Sequence, residues 1–243
     1  MKALIIAIMF FLCTIICFAQ ITETLKLRGN DYTEFIAKNQ YKYPAYTKAK
    51  ISFKNAGMAS AKINYNNFQD VIKYIDAEGD TLDIANADEI NYISVGADTI
   101  FHDNGYYQWV ASSATARLVV KFKYKEAYRA PIGAFGISSP AKNVQTPDRI
   151  IIDEGAVNDS RWNQASTFMP SSSNEEVTFT KQTMYYISPL SNPQNSFLPA
   201  TKKNIDTLFP KLKVEDFIKD NKLNLNKEED LIDLMVYISK KKN

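Results

Sequence analysis

The stretch Arg117-Leu118-Val119-Val120-Lys121-Phe122-Lys123-Tyr124-Lys125 decides the fold class. Its period is two: Leu118, Val120, Phe122 and Tyr124 point one way, and Lys121, Lys123 and Lys125 point the other. Successive side chains of a strand alternate across the sheet, so this pattern predicts a β-strand with one core face and one wet face. A lysine row is also what a polyanion-binding stripe would need. Lysines on the solvent face of a strand, where they discourage edge pairing, are far commoner, and the total charge argues the same way. With 29 Lys+Arg against 27 Asp+Glu, the chain carries a formal +2 and no field for steering toward nucleic acid.

Upstream the same period recurs between turn signals. Ile51 and Phe53 alternate with polar residues, Asn55-Ala56-Gly57 turns, and Ile63 and Tyr65 return, which predicts a hairpin. Val71 to Ile75 and Leu82 to Ile84 flank a turn at Ala77-Glu78-Gly79-Asp80. Asn86-Ala87-Asp88-Glu89 reads as a helical turn. Tyr92 to Val95, Thr99 to Phe101 and Tyr106 to Val110 then continue an antiparallel series, the last two joined by Asp103-Asn104-Gly105. Gln20 to Tyr46 is mixed and polar. It ends in Tyr41-Lys42-Tyr43-Pro44-Ala45-Tyr46, where Pro44 argues against a central strand, and it reads as an edge segment or loop.

Downstream, Ala127 to Asn174 loses all periodicity among prolines, glycines and serines, with one apolar island at Ile150-Ile151-Ile152. A connection of this length is a functional loop or a disordered one. Phe135, Ile137 and Trp162 are the apolar residues on it that could anchor a partner, or pin the loop to the sheet. Val177 to Ile187 reads as one more strand. Helical spacing follows in Ile205, Leu208 and Phe209, stopped by Pro210, and in Val214, Phe217 and Ile218, stopped near Asn221. A third helix carries Leu231, Leu234, Met235 and Ile238, with Asn226 and Glu229 as a capping box and Lys240 to Lys242 at its negative end.

The N-terminus reads as an export signal. Met1-Lys2 precedes an apolar run from Ala3 to Phe18, just short of a membrane-spanning length, and Cys17-Phe18-Ala19 places cleavage after Ala19. Ile16 before Cys17 and Leu12 before Cys13 do not suit lipid attachment. Both cysteines lie in that signal, so the mature chain has no thiol nucleophile, disulfide or Cys-based zinc site. His102, the single histidine, leaves no two-His metal motif, and no G-x-S-x-G elbow, P-loop or G-x-G-x-x-G occurs. His102 reads as an exposed or half-buried residue at a hairpin end. Asp76, Glu78, Asp80 and Asp83 could gather Ca²⁺, but the glycine spacing is wrong for an EF-hand, and a hairpin turn explains the same letters. A pair of acids for hydrolysis could be sought among Asp76, Asp80, Asp103, Asp153 and Glu154, where separation in space decides.

The stretches Ala61-Lys62-Ile63-Asn64-Tyr65-Asn66, Gly79-Asp80-Thr81-Leu82-Asp83-Ile84-Ala85-Asn86 and Asp98-Thr99-Ile100-Phe101 resemble a group of uncharacterised exported proteins of Bacteroidota. The ending Pro199-Ala200-Thr201-Lys202-Lys203-Asn204, Leu208-Phe209-Pro210-Lys211 and Lys227-Glu228-Glu229-Asp230-Leu231 is similar to the close of many of them. The resemblance implies a periplasmic or outer-membrane-associated location and brings no activity or catalytic residue. Asp80-Thr81-Leu82, Asp98-Thr99-Ile100 and Asp206-Thr207-Leu208 also resemble the O-glycosylation triplet of such proteins.

The expected fold is therefore α+β, mainly β: an antiparallel sheet or meander with a short helical C-terminal segment. Residues 1–19 form the signal, 20–190 a β-rich domain with a long irregular loop at about 127–175, and 191–243 the helical segment. The expected function is that of a non-enzymatic exported cell-envelope protein, an interaction or structural module with no catalytic residue, cofactor or metal. Its partner would be an envelope protein complex or a glycan, not nucleic acid, and any membrane association would run through a partner. Two rival readings stand beside it: a carbohydrate-binding module, suggested by 14 Tyr and by Trp109 and Trp162, and a carboxylate-dependent hydrolase.

Overall fold

The computed structural model describes residues 21–28, 30–129, 176–190 and 196–240. The expected signal over 1–19 and nearly all of the 127–175 loop, with Phe135, Ile137 and Trp162, lie outside the described residues. Among the described residues eleven strands form one sheet: β1 (Ile21–Arg28), β2 (Thr47–Phe53), β3 (Met58–Asn66), β4 (Val71–Ile75), β5 (Thr81–Asp83), β6 (Ile90–Val95), β7 (Asp98–His102), β8 (Tyr106–Ser112), β9 (Ala116–Arg129), β10 (Glu176–Pro189) and β11 (Leu198–Pro199). The helices are α1 (Asn30–Asn39), α2 (Lys202–Leu208), α3 (Val214–Asp220) and α4 (Glu228–Lys240), with a 3-10 turn at Ala87–Glu89.

Every strand pair is antiparallel, in the order β1-β10-β9-β8-β7-β6-β2-β3-β4-β5. Two meanders, β2 to β5 and β6 to β10, thus lie side by side and join where β2 pairs with β6. The fold is α+β and mainly β, as the alternation predicts. The turns follow from backbone preference. Ala56 (φ 65) turns β2 into β3 with the Asn55 Oδ1 accepting from the Gly57 N–H at 2.9 Å. Asn104 (φ 54) and Gly105 (φ 124) turn β7 into β8, as an Asn-Gly pair can do without strain.

The described residues before β2 depart from the expectation. They hold an edge strand, β1, and a helix, α1, where only an edge segment or loop is expected. Tyr32, Phe35 and Ile36 fall on one helical face and pack with Leu27 against Val177 and Phe179 of β10. The Phe35 and Phe179 ring centroids are 4.8 Å apart. Tertiary packing on β10, more than propensity, makes this short polar helix worth forming.

Strand β9 departs from the expectation as well. It runs on to Arg129, past the expected loop boundary at Ala127, and over residues 118–121 it is covered on both faces. Leu118 and Val120 are buried on one side, and Val119 (0% exposed) and Lys121 (9%) on the other. Lys121 is therefore not a solvent-face lysine. Lys123 is half-buried and Lys125 exposed. Val119 sits among Phe101, Tyr107 and Phe197, a cluster that sequence alternation does not reveal.

Burial on both sides follows from curl. Five steps of the sheet separate β9 from β3, roughly 24 Å if flat. Yet Phe68, just after β3, lies 4.9 Å from Tyr124 of β9 between ring centroids, and Tyr65 of β3 lies 6.0 Å from Tyr106 of β8. Twist accumulated across the strands rolls the β3–β4 end back over β8 and β9. Inside the roll Ile63, Ile72, Ile90 and Ile93 are all 0% exposed. The far end of β9 and β10 receives the helices: Ile205, Val214, Leu231, Leu234 and Ile238 pack on Ala116, Leu118 and Ile187. The α4 stripe is the expected one. Its cap is not: the helix starts at Glu228, and Asp230 Oδ2 accepts from the Asn224 N–H, while Asn226 Nδ2 donates to Asn224 Oδ1. The run of Asn residues before the helix offers several capping registers, and sequence alone selects the wrong one.

Candidate functional site

The site grows from the segment that leaves α1. Gln40 N–H closes the helix on Ile36 O at 2.8 Å, and the chain then runs beside the end of β3. Tyr41 bridges to Asn66, and Lys42 N–H donates to Tyr65 O at 3.0 Å. Pro44, with no N–H to give, ends this pairing before β2 begins at Thr47.

Asn64 of β3, 2% exposed, holds the segment in place. Its Oδ1 accepts from the Tyr43 N–H at 3.1 Å and from the Tyr65 N–H at 2.9 Å, and its Nδ2 donates to Tyr43 O at 2.9 Å. Three hydrogen bonds on a buried amide make it a rigid fixture. Next to it, Asp98 gathers three donors: Tyr43 Oη at 2.8 Å, Gln108 Nε2 at 2.9 Å and Lys42 Nζ at 3.2 Å. Lys42 Nζ also donates to Gln108 Oε1. Burial, then the Asp98 carboxylate beside it, holds the Tyr43 phenol well above the ordinary tyrosine range. The cavity behind Lys42 and Gln108 measures about 20 Å³, room for a single water. This cluster is a structural clasp, and its carboxylate is committed.

Lys42 also borders a cleft of about 350 Å³, lined by Ala37, Lys38, Tyr41, Lys42, Tyr43, Tyr46 and Asn64 together with Pro44 and Ala45. The Tyr41 and Tyr46 rings stand 5.7 Å apart at 58°. Tyr46 Oη donates to Tyr41 Oη across 3.4 Å, a long bond. Burial and then the Tyr46 hydroxyl hold the Tyr41 phenol protonated, above its usual range. Among the described residues no carboxylate lines the cleft. The sequence reading notes the Tyr-Pro cluster but takes it only as an edge or loop. The density of tyrosines around a proline is the signal that could have marked a site.

The other candidates disperse. Asp76 Oδ1 accepts from the backbone N–H of Glu78 at 3.1 Å and of Asp80 at 2.8 Å, so it shapes the turn, while Asp83 pairs with Lys73 at 2.7 Å. Among the described residues no group of three His, Cys, Asp or Glu is placed to hold a metal ion. Asp103 Oδ2 accepts from the Phe197 N–H at 2.9 Å; Asp153 and Glu154 lie outside the described residues. His102 is half-buried at the hairpin end, edge-on to Tyr106 at 4.8 Å, and desolvation lowers its pKa. Asp88 Oδ1 is 3.3 Å from its Nδ1. Thr81 is exposed on β5 and Thr99 half-buried in β7, while the Thr207 hydroxyl donates to Lys203 O at 2.8 Å. Trp109 is 42% exposed on β8, with its indole N–H donating to Ser112 Oγ at 2.9 Å, and does not line the cleft. Among the described residues no helix is long and apolar enough to cross a membrane.

No family model, curated protein or solved structure matches the chain.

Proposed function

We propose that the chain is a non-catalytic binding module of the cell envelope, exported through its N-terminal apolar segment. One observation carries the binding reading: the Tyr41–Tyr46 cleft is aromatic and polar, rigidly framed, and among the described residues lined by neither a carboxylate nor a nucleophile with a base beside it. Catalysis by acid–base or nucleophilic routes needs such a pair within hydrogen-bond reach. The nearest carboxylate, Asp98, already accepts three bonds. The envelope location rests on the Lys2 and Ala3 to Ala19 pattern and on the resemblance to exported Bacteroidota proteins. Phe135, Ile137 and Trp162 remain the candidates for contact with an envelope protein.

The test is crosslinking of the mature protein in its own envelope fraction, followed by mass spectrometry, beside a turnover screen on envelope polymers. A reproducible crosslinked partner without turnover is the expected result. Turnover that disappears on a single Asp or Glu substitution overturns the reading.

A further inference from the structure

We infer that the Tyr41–Tyr46 cleft binds a carboxylated sugar, one or two hexuronate rings in extent; this rests on the binding-module reading and names its ligand. Size comes first. At about 350 Å³ the cleft lies at the low end of small-molecule sites, roughly 300–1,000 Å³, which suits a pyranose unit and not a length of peptide.

Chemistry narrows the class. Tyr41 and Tyr46, both half-buried in the cleft lining, pack ring against ring at 58° with their hydroxyls 3.4 Å apart, an apolar body with a polar tip of the kind that meets the C–H face and hydroxyl rim of a sugar. Each hydroxyl has only the other, at 3.4 Å, as its hydrogen-bond partner among the described residues. An incoming sugar hydroxyl would shorten a poor bond into two good ones. Lys42 is offset by Asp98. Lys38, on the last turn of α1, has no carboxylate within ion-pair reach among the described residues, so the net charge of the lining is positive. The Asp83 carboxylate also acts on Tyr41, but it is paired with Lys73 at 2.7 Å, so the lining keeps a cationic excess, which favours a carboxylated sugar over a neutral one.

Preorganisation supports the same conclusion. Asn64 fixes the Tyr43 backbone on both sides and Tyr43 Oη is tied to Asp98, so the cleft wall does not have to be ordered when a ligand arrives.

The experiment is calorimetric titration of the mature protein with trigalacturonate and methyl β-glucuronide, with methyl β-glucoside as the neutral match and a Pro-rich peptide as the competing class. Saturable binding of the acidic sugars, weakened about tenfold by Tyr46→Ala or Tyr41→Ala, is expected. Lys38→Gln, an exposed change that leaves the fold intact, lowers the acidic-over-neutral preference by about threefold, and added salt does the same. Silence across the sugars, binding undiminished in both tyrosine variants, equal affinity for the neutral glycoside, or binding of the peptide in their place overturns the inference. A crosslinked envelope partner with no sugar binding removes this ligand while the module reading stands. Saturable binding with release of new reducing ends supports the cleft and removes the non-catalytic reading.

Discussion

Lys121 Nζ lies 2.9 Å from Asp70 Oδ2, and this pair ties β9 to the turn between β3 and β4, two parts of the sheet five strands apart. Both side chains are about nine-tenths buried, at 10% and 12% exposed. Asp70 Oδ1 meanwhile accepts from Tyr65 Oη at 2.7 Å, and the Lys121 ammonium lies 5.0 Å over the Tyr107 ring. The pair is the polar latch of the curl.

Removing one half of a buried pair leaves the other charge without compensation. Lys121→Met should destabilise the protein by about 3–5 kcal/mol in denaturant unfolding. Asp70→Asn in the same chain should recover part of that loss, because the amide keeps a bond to Tyr65 and Asn tolerates the left-handed backbone at this position (φ 55). Losses that simply add in the double variant would show that the two side chains do not act as a pair.

Gly105 is the residue that lets the latch pass. Its φ of 124° is one that other residues rarely adopt, and a Cβ there would run into Lys121 Nζ and come within 3.0 Å of Asp70 Oδ2. Gly105→Ala should cost about 1–3 kcal/mol from backbone strain alone. The cost should be smaller in a Lys121→Ala background, where the closer of the two steric contacts is gone. Equal costs in the two backgrounds would mean that the lysine does not occupy that space.

His102 gives a pH dependence that a single resonance can report, since the chain has 1 His. Desolvation lowers its folded-state pKa, against the opposing pull of the exposed Asp88 carboxylate and of Asp70 and Asp103. The unfolded chain, with an ordinary value of about 6.5, therefore takes up the proton first. Stability should fall as pH drops below about 6.5 and level off once the folded-state pKa is passed. A His102→Gln variant should lose this component. Proton NMR of the imidazole should place its folded pKa below the ordinary value, and a raised value would reverse the predicted slope.

The helical segment is held by its apolar stripe. Leu234→Ala, at 1% exposed against β9 and β10, should cost about 2–5 kcal/mol, whereas Ile232→Ala, at 36% exposed on the same helix, should stay within about 0.5 kcal/mol. Thermal unfolding of the two variants separates them. Similar losses would place α4 in a different rotation about its axis.

How the sequence and the structure divide the information follows from the range of each interaction. Alternation at Leu118, Val120 and Phe122, the Asn104-Gly105 turn and the 3.6-residue stripe of Leu231, Leu234 and Ile238 are local patterns, set by backbone geometry and one buried face. They determined the antiparallel meander, the hairpin boundaries and the helical close. The composition likewise determined that the chain after Ala19 has no thiol and one imidazole. The rest was decided by contacts between residues remote in sequence. The helical spacing of Tyr32, Phe35 and Ile36 acquires its value only against Phe179, the second face of β9 is buried only because the sheet curls, and Lys121 leaves solvent only because Asp70 meets it. The Tyr41–Tyr46 cleft belongs to the same group: its tyrosines are legible in the sequence, but their shape as a site depends on Asn64 and Asp98, which the fold brings beneath them. A period in sequence reports how one element meets one surface; which surface, and whether a second one closes over it, is set by the accumulated twist of the sheet.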